Sequence, residues 1–137
     1  MNYTIILFLA TVIIVGAVML IFANRKSGKH LNVEQYRVKC LAIEQQLKAD
    51  EPSSYLLAVL NADKLVDQAL RERGIKGKTM GERMQCGATL FSDRNGIWTA
   101  HKLRNTIAHE PEVTVTYDQA RYALSCFRKA LKDLGAI

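Results

Sequence analysis

Residues Ile5 to Ala23 read IILFLATVIIVGAVMLIFA, 19 positions without a charge, of which only Thr11 and Gly16 fall outside the hydrophobic set. An α-helix rises about 1.5 Å per residue, so the run spans roughly 28 Å, close to the hydrocarbon thickness of a bilayer. It is rich in β-branched Ile and Val, yet no polar alternation marks a strand. The run predicts one transmembrane helix from Tyr3 to Ala23. A core helix of a soluble domain seldom stays uncharged over this length. A cleaved signal peptide is the other alternative; it would want a positive leading region, a shorter apolar run and a small-residue cleavage site. No Lys or Arg precedes Thr4, and Asn24-Arg25-Lys26 follows the run at once.

Those following charges set the expected orientation. Arg25, Lys26 and Lys29 all come before the first acidic residue, Glu34. Basic residues stay on the cytoplasmic side of a membrane. The expectation is a single-pass cell-membrane protein held in the lipid bilayer through residues 3–23, with its N-terminus outside and residues 24–137 in the cytoplasm. Taken whole, 137 residues with 49% hydrophobic, 23% charged and net charge +6 describe one small basic globular domain. That composition excludes a multi-domain enzyme, a disordered tail and a collagen-like chain. Outside the apolar run the hydrophobic share falls to about 42%, an ordinary soluble value. From His30 onward 16 Lys and Arg stand against 13 Asp and Glu. Such a mild excess is compatible with RNA or phosphate contact without demanding it. Cys40, Cys86 and Cys126 are odd in number and far apart, which predicts buried free thiols in a reducing compartment.

The rest of the chain carries helix punctuation. Residues 24–31, NRKSGKHL, read as a short basic linker. Asn32 with Gln35 makes a capping-box-like start, and Val33, Tyr36, Cys40, Ile43 and Leu47 then share one helical face. Asp50 to Ser54 breaks that helix and caps a second, from about Ser54 to Arg73. This second helix is the most apolar of the soluble part, hence central, but Asp63, Lys64 and Asp67 exclude a second membrane span. Thr79 with Glu82 opens a short helix to about Phe91, and a fourth covers roughly Ile97 to Ala108. Glu112 to Val115 alternates as an extended loop or tiny strand. Thr116 with Gln119 opens a last helix to about Leu134, ended by Gly135. The expected fold is all-α: the membrane helix (1–23), the linker (24–31) and a bundle of about five helices (32–137), large enough for one core.

The fourth helix uses its faces unusually. Advancing 100° per residue from Ile97, the apolar Ile97, Ala100, Leu103 and Ile107 fall between about 240° and 360°. Lys102, Thr106 and Thr99 fall opposite. Arg104, His101, Asn105 and His109 fill the border between the two, a groove-like lining of cation, amide and imidazole.

Arg104-Asn105-Thr106-Ile107-Ala108-His109 fits Arg-x4-His in the form Arg-Asn-x-x-Ala-His, near the end of a penultimate helix and followed by a loop and a last amphipathic helix. In this the chain resembles the HEPN superfamily ("higher eukaryotes and prokaryotes nucleotide-binding"), all-helical domains that include many metal-independent RNases. The resemblance covers residues 32–137. It implies a HEPN-like helical bundle and a membrane-anchored endoribonuclease giving 2′,3′-cyclic phosphate ends. Arg104 and His109 would be its catalytic pair, with Asn105 orienting or hydrogen-bonding between them. It also implies a homodimer with RNA as partner, since the motifs of two protomers face each other in such proteins.

The chemistry is coherent. Metal-free RNA cleavage uses the 2′-hydroxyl as nucleophile. It needs a proton-transfer group that titrates near neutrality and a fixed cation on the phosphate, roles suited to histidine and arginine. Within one regular helix Arg104 and His109 are about 140° and 7.5 Å apart, awkward for a single phosphate, which is why the dimer belongs to the expectation.

Other readings stay open. Arg104 and Asn105 could tie the last two helices together while His109 caps a helix end. The protein would then be a non-catalytic interaction or nucleotide/RNA-binding module tethered to the membrane. His101 and Glu110 are possible groove-lining residues; for His101 a structural or solvent role is the favoured reading, and for Glu110, which could orient His109, the favoured reading is pairing with a basic residue. Trp98 reads as a core or dimer contact. No metal site and no cofactor are expected: His30, His101, His109 and the three scattered cysteines offer no ligand pair at metal spacing.

Overall fold

The computed structural model describes residues 2–23 and 30–137. Six α-helices occur among them: α1 (Tyr3–Ala23), α2 (Val33–Gln46), α3 (Pro52–Glu72), α4 (Met80–Cys86), α5 (Arg94–His109) and α6 (Tyr117–Asp133). A 3-10 turn, Ala88–Leu90, follows α4. No strand forms among the described residues. α1 coincides with the expected span, and its Tyr3–Ile21 portion, with mean hydropathy 2.9, is long and apolar enough to cross a membrane. The linker expected at 24–31 lies outside the described residues up to position 29. Leu31, read as linker, is instead buried in the core.

The bundle is built around α3, which lies against α2, α4, α5 and α6, while α5 also packs on α6. Pro52 starts α3 in its first turn, where a missing N–H costs nothing. Ten residues of α3 are buried, Val59, Val66, Ala69 and Leu70 among them. The expected stripe of α6 is buried throughout, from Ala120 to Leu134, with Phe127 and Leu131 its largest members. Fully burying one such side chain is worth about 1.5–3 kcal/mol, so this stripe is a main source of stability.

The caps explain where helices begin. Asn32 Oδ1 accepts from the Gln35 N–H at 3.1 Å. At Thr116 the full reciprocal box forms with Gln119, at 2.9 and 3.2 Å. At Thr79 only half of it does. The hydroxyl accepts from the Glu82 N–H, but the Glu82 carboxylate turns to the Lys78 N–H at 2.6 Å. α2 stops at Gln46, four residues short of the expected break. Ser54 accounts for this: its hydroxyl accepts from the Lys48 N–H at 3.0 Å and draws the connection to α3 inward. α4 ends at Cys86, before the expected Phe91, and Gly87 leads into the 3-10 turn. Of the expected 112–115 segment, Glu112 lies in a turn and 113–115 form no strand, since one segment without a partner strand cannot make a ladder.

The cysteines divide. Cys40 and Cys126 are buried as expected, whereas Cys86 is exposed at the end of α4. Burial pushes the Cys40 and Cys126 thiols up; the Glu44 carboxylate adds to the first and Asp93 to the second. Cys86 should therefore react first with a thiol reagent, and the other two only as the bundle opens. An equal rate for all three thiols in the folded protein would contradict this. The raised thiols also set a pH trend. Above about pH 8.5 the unfolded chain releases thiol protons that the folded chain keeps, so stability falls as pH rises. The urea midpoint should be lower at pH 9.5 than at pH 7.

Candidate functional site

The site is a groove of about 810 Å³ between α3, α4 and α5. From α5 come Trp98, His101, Lys102, Arg104, Asn105 and His109; from α3, Asp63, Lys64 and Asp67; from the start of α4, Thr79, Met80 and Gly81. The helical arithmetic accounts for the α5 contribution. Ile97 and Ala100 are buried, and Leu103 and Ile107 pack on the core, which turns the border residues toward α3 and α4.

One carboxylate organises the floor. Asp63, only 4% exposed, sits 2.7 Å from His101 Nδ1 through Oδ1, and 3.2 Å from Arg104 Nε through Oδ2. The second contact is at ion-pair distance but too oblique for a hydrogen bond. Arg104 Nε is thus buried without a hydrogen-bond partner among the described residues. A carboxylate can only accept, so the His101 Nδ1 carries the hydrogen in that contact. In the neutral ring Nε2 then keeps the lone pair. Arg104 Nη1 donates to Asn105 Oδ1 at 3.0 Å.

The expected residues therefore separate into three groups. Arg104, Asn105 and His109 line one groove. His101 does too, but it is a buried, bonded floor residue and not a solvent-facing one. Glu110 lies outside: it is exposed, and its backbone N–H caps α5 on Thr106 O at 2.9 Å. His109 is exposed at the helix end and makes no side-chain hydrogen bond among the described residues. Trp98 is half-buried, packed against the core and T-shaped to His101 with ring centroids 6.0 Å apart.

Asp63 is the groove residue that the sequence reading missed, having served only to exclude a second span. A signal was present. Val59, Asp63, Val66 and Leu70 step by three and four along the apolar stripe of α3, and a carboxylate on a core stripe requires a partner.

Balance of charge favours an anion. Asp67 is already engaged by Arg71 at 3.2 Å and Arg83 at 2.7 Å. Lys64, Lys102 and Arg104 thus face the groove against Asp63 alone. Gly81 keeps the wall open: a Cβ there would lie 3.7 Å from the Trp98 ring and 4.0 Å from His101 Nε2, ordinary contact distances. Gly81→Ala should then fit and stabilise the bundle by about 0.5–1 kcal/mol, the helix propensity of Ala over Gly. A lower urea midpoint for that variant would show the opening to be tighter than this geometry.

No family model, no curated protein and no solved structure matches the chain.

Proposed function

We propose that this is a membrane-anchored, HEPN-like, metal-independent endoribonuclease. The observation that carries the proposal is that Arg104, Asn105 and His109 open onto one cation-rich groove instead of being spent on their own backbone. In this reading Arg104 holds the scissile phosphate and the charge that builds on it, Asn105 steadies the guanidinium, and His109 transfers the proton. Two protomers bring their grooves together, so that each phosphate meets Arg and His from a composite site. α1 lies in the cell membrane with the N-terminus outside, and Arg25, Lys26 and Lys29 hold the bundle on the cytoplasmic side.

The test uses the full chain in detergent micelles with a labelled RNA and EDTA. Cleavage to 2′,3′-cyclic phosphate ends, lost in both Arg104→Ala and His109→Ala, is the expected result. A folded wild-type protein that leaves RNA intact overturns the proposal. The competing reading, a non-catalytic RNA-binding or interaction module, draws on Asp63, whose carboxylate already neutralises Arg104. Saturable RNA binding without cleavage would select it.

A further inference from the structure

We infer that His101, held by Asp63, is a second proton-transfer residue of the groove, working beside Arg104 of its own helix. The inference rests on the ribonuclease reading above and adds a residue outside the Arg-Asn-x-x-Ala-His motif.

Three observations carry it. First, Asp63 binds His101 and Arg104 through its two separate oxygens, at 2.7 and 3.2 Å, which sets imidazole and guanidinium side by side. Second, the Asp63 contact takes Nδ1–H and leaves Nε2 as the acceptor nitrogen, on the side where Gly81 offers no side chain. Third, His101 is the nearer histidine to Arg104 along α5, about 60° from it around the axis where His109 is about 140° away. His101 is about 4.5 Å before it and His109 about 7.5 Å beyond it on the helix axis. In the composite site of the proposed dimer, a phosphate on Arg104 therefore has a proton acceptor in His101 of the same protomer and, on its other side, the exposed imidazole of His109 from the facing protomer, as an in-line displacement requires.

The step balances. The ribose O2′–H bond breaks and its proton goes to His101 Nε2. The O2′–P bond forms as the P–O5′ bond breaks, and O5′ takes a proton from the His109 imidazolium. The products are the cyclic phosphate and a 5′-hydroxyl, and the two histidines have exchanged protonation states. Asp63 touches no substrate: it positions the ring and faces the imidazolium that forms. The other charged groups lining the groove are Lys64 and Asp67 on α3 and Lys102 on α5; the Thr79, Met80 and Gly81 wall of α4 has none.

His101→Asn tests this on the full chain in micelles, since its amide N–H replaces Nδ1–H toward Asp63 while Nε2 is lost. We expect RNA cleavage to fall 10²–10⁴-fold, with RNA affinity and thermal midpoint unchanged. Asp63→Asn should lower kcat at least tenfold with KM little altered, a split that a purely structural role would not produce. In ¹⁵N-labelled protein, the wild-type His101 signal should be that of the Nδ1–H form, and Asp63→Asn should mix the two tautomers. His101→Asn cleaving at the wild-type rate, with Arg104→Ala inactive, overturns this inference and leaves the ribonuclease reading standing. An Nε2–H tautomer in the wild-type spectrum overturns it independently of any cleavage. An inactive wild-type protein overturns both.

Discussion

Replacing Arg83 by alanine should cost the bundle about 3 kcal/mol, the low end of what breaking a buried ion pair costs. Arg83 is 7% exposed and spends its whole guanidinium inside the fold. Nε donates to Asp67 Oδ1 at 2.8 Å, Nη2 lies 2.7 Å from the same oxygen, and Nη1 donates to the Gly77 carbonyl at 2.6 Å. These contacts pin the loop after α3 and the whole of α4 against α3. The loop is shaped for them: Gly77 has φ +152, and a Cβ there would come within 2.7 Å of the Arg83 backbone nitrogen. Truncation strands the Gly77 carbonyl and leaves Asp67 with Arg71 alone, whose side chain is 58% exposed. That remaining partner is why the low end applies. Against a typical domain stability of about 5–15 kcal/mol the loss is large. The urea midpoint of the full chain in micelles measures it, and a midpoint equal to wild type would show the Arg83 cluster to be decorative. Because α4 forms one wall of the groove, the variant should also lose RNA cleavage at temperatures where α3 and α6 remain helical.

Arg104→Ala should act on the opposite property. The fold keeps its Asp63–His101 contact at 2.7 Å, and the Arg104 side chain is already 35% exposed, so the loss of stability should be smaller than for Arg83→Ala. Cleavage under the proposed mechanism should fall about 10²–10³-fold, the range for removing one fixed donor from a developing oxyanion. Arg104→Lys should not restore it. The planar fork reaches Asp63 and Asn105 together and leaves N–H groups over for the phosphate of the proposed mechanism, whereas an ammonium on a flexible stem presents one compact charge. Wild-type turnover by Arg104→Lys would mean that a bare positive charge suffices. A melting temperature lowered as far as in Arg83→Ala, with RNA cleavage unchanged, would return Arg104 to the role of a structural tie.

The helices were legible because their signals are local. The α6 stripe and the Thr116–Gln119 box lie within a few residues of one another, and both appear as read. What was not legible depended on partners distant in the chain. His101 meets Asp63 across 38 positions, and Arg83 meets Asp67 across 16. Periodicity says which face a side chain occupies and is silent on what stands opposite. Local competition hid smaller things. Glu82 had two backbone N–H groups in reach and took Lys78 over its own cap, and the Ser54 hydroxyl cut α2 short. Leu31 was hidden by its polar neighbours, His30 and Asn32, although its own side chain joins the core.

Trp98 gives the groove a voice. It is the chain's single tryptophan, and it stands edge-on to His101 in the wall of the groove. Excitation at its absorption edge therefore interrogates one place in the molecule, without a label and without turnover. A nucleotide entering the groove, or a charge appearing on the neighbouring imidazole, changes the surroundings of that indole and hence the colour and yield of its emission. Occupancy of the groove can be followed optically in an inactive variant as readily as in the wild type.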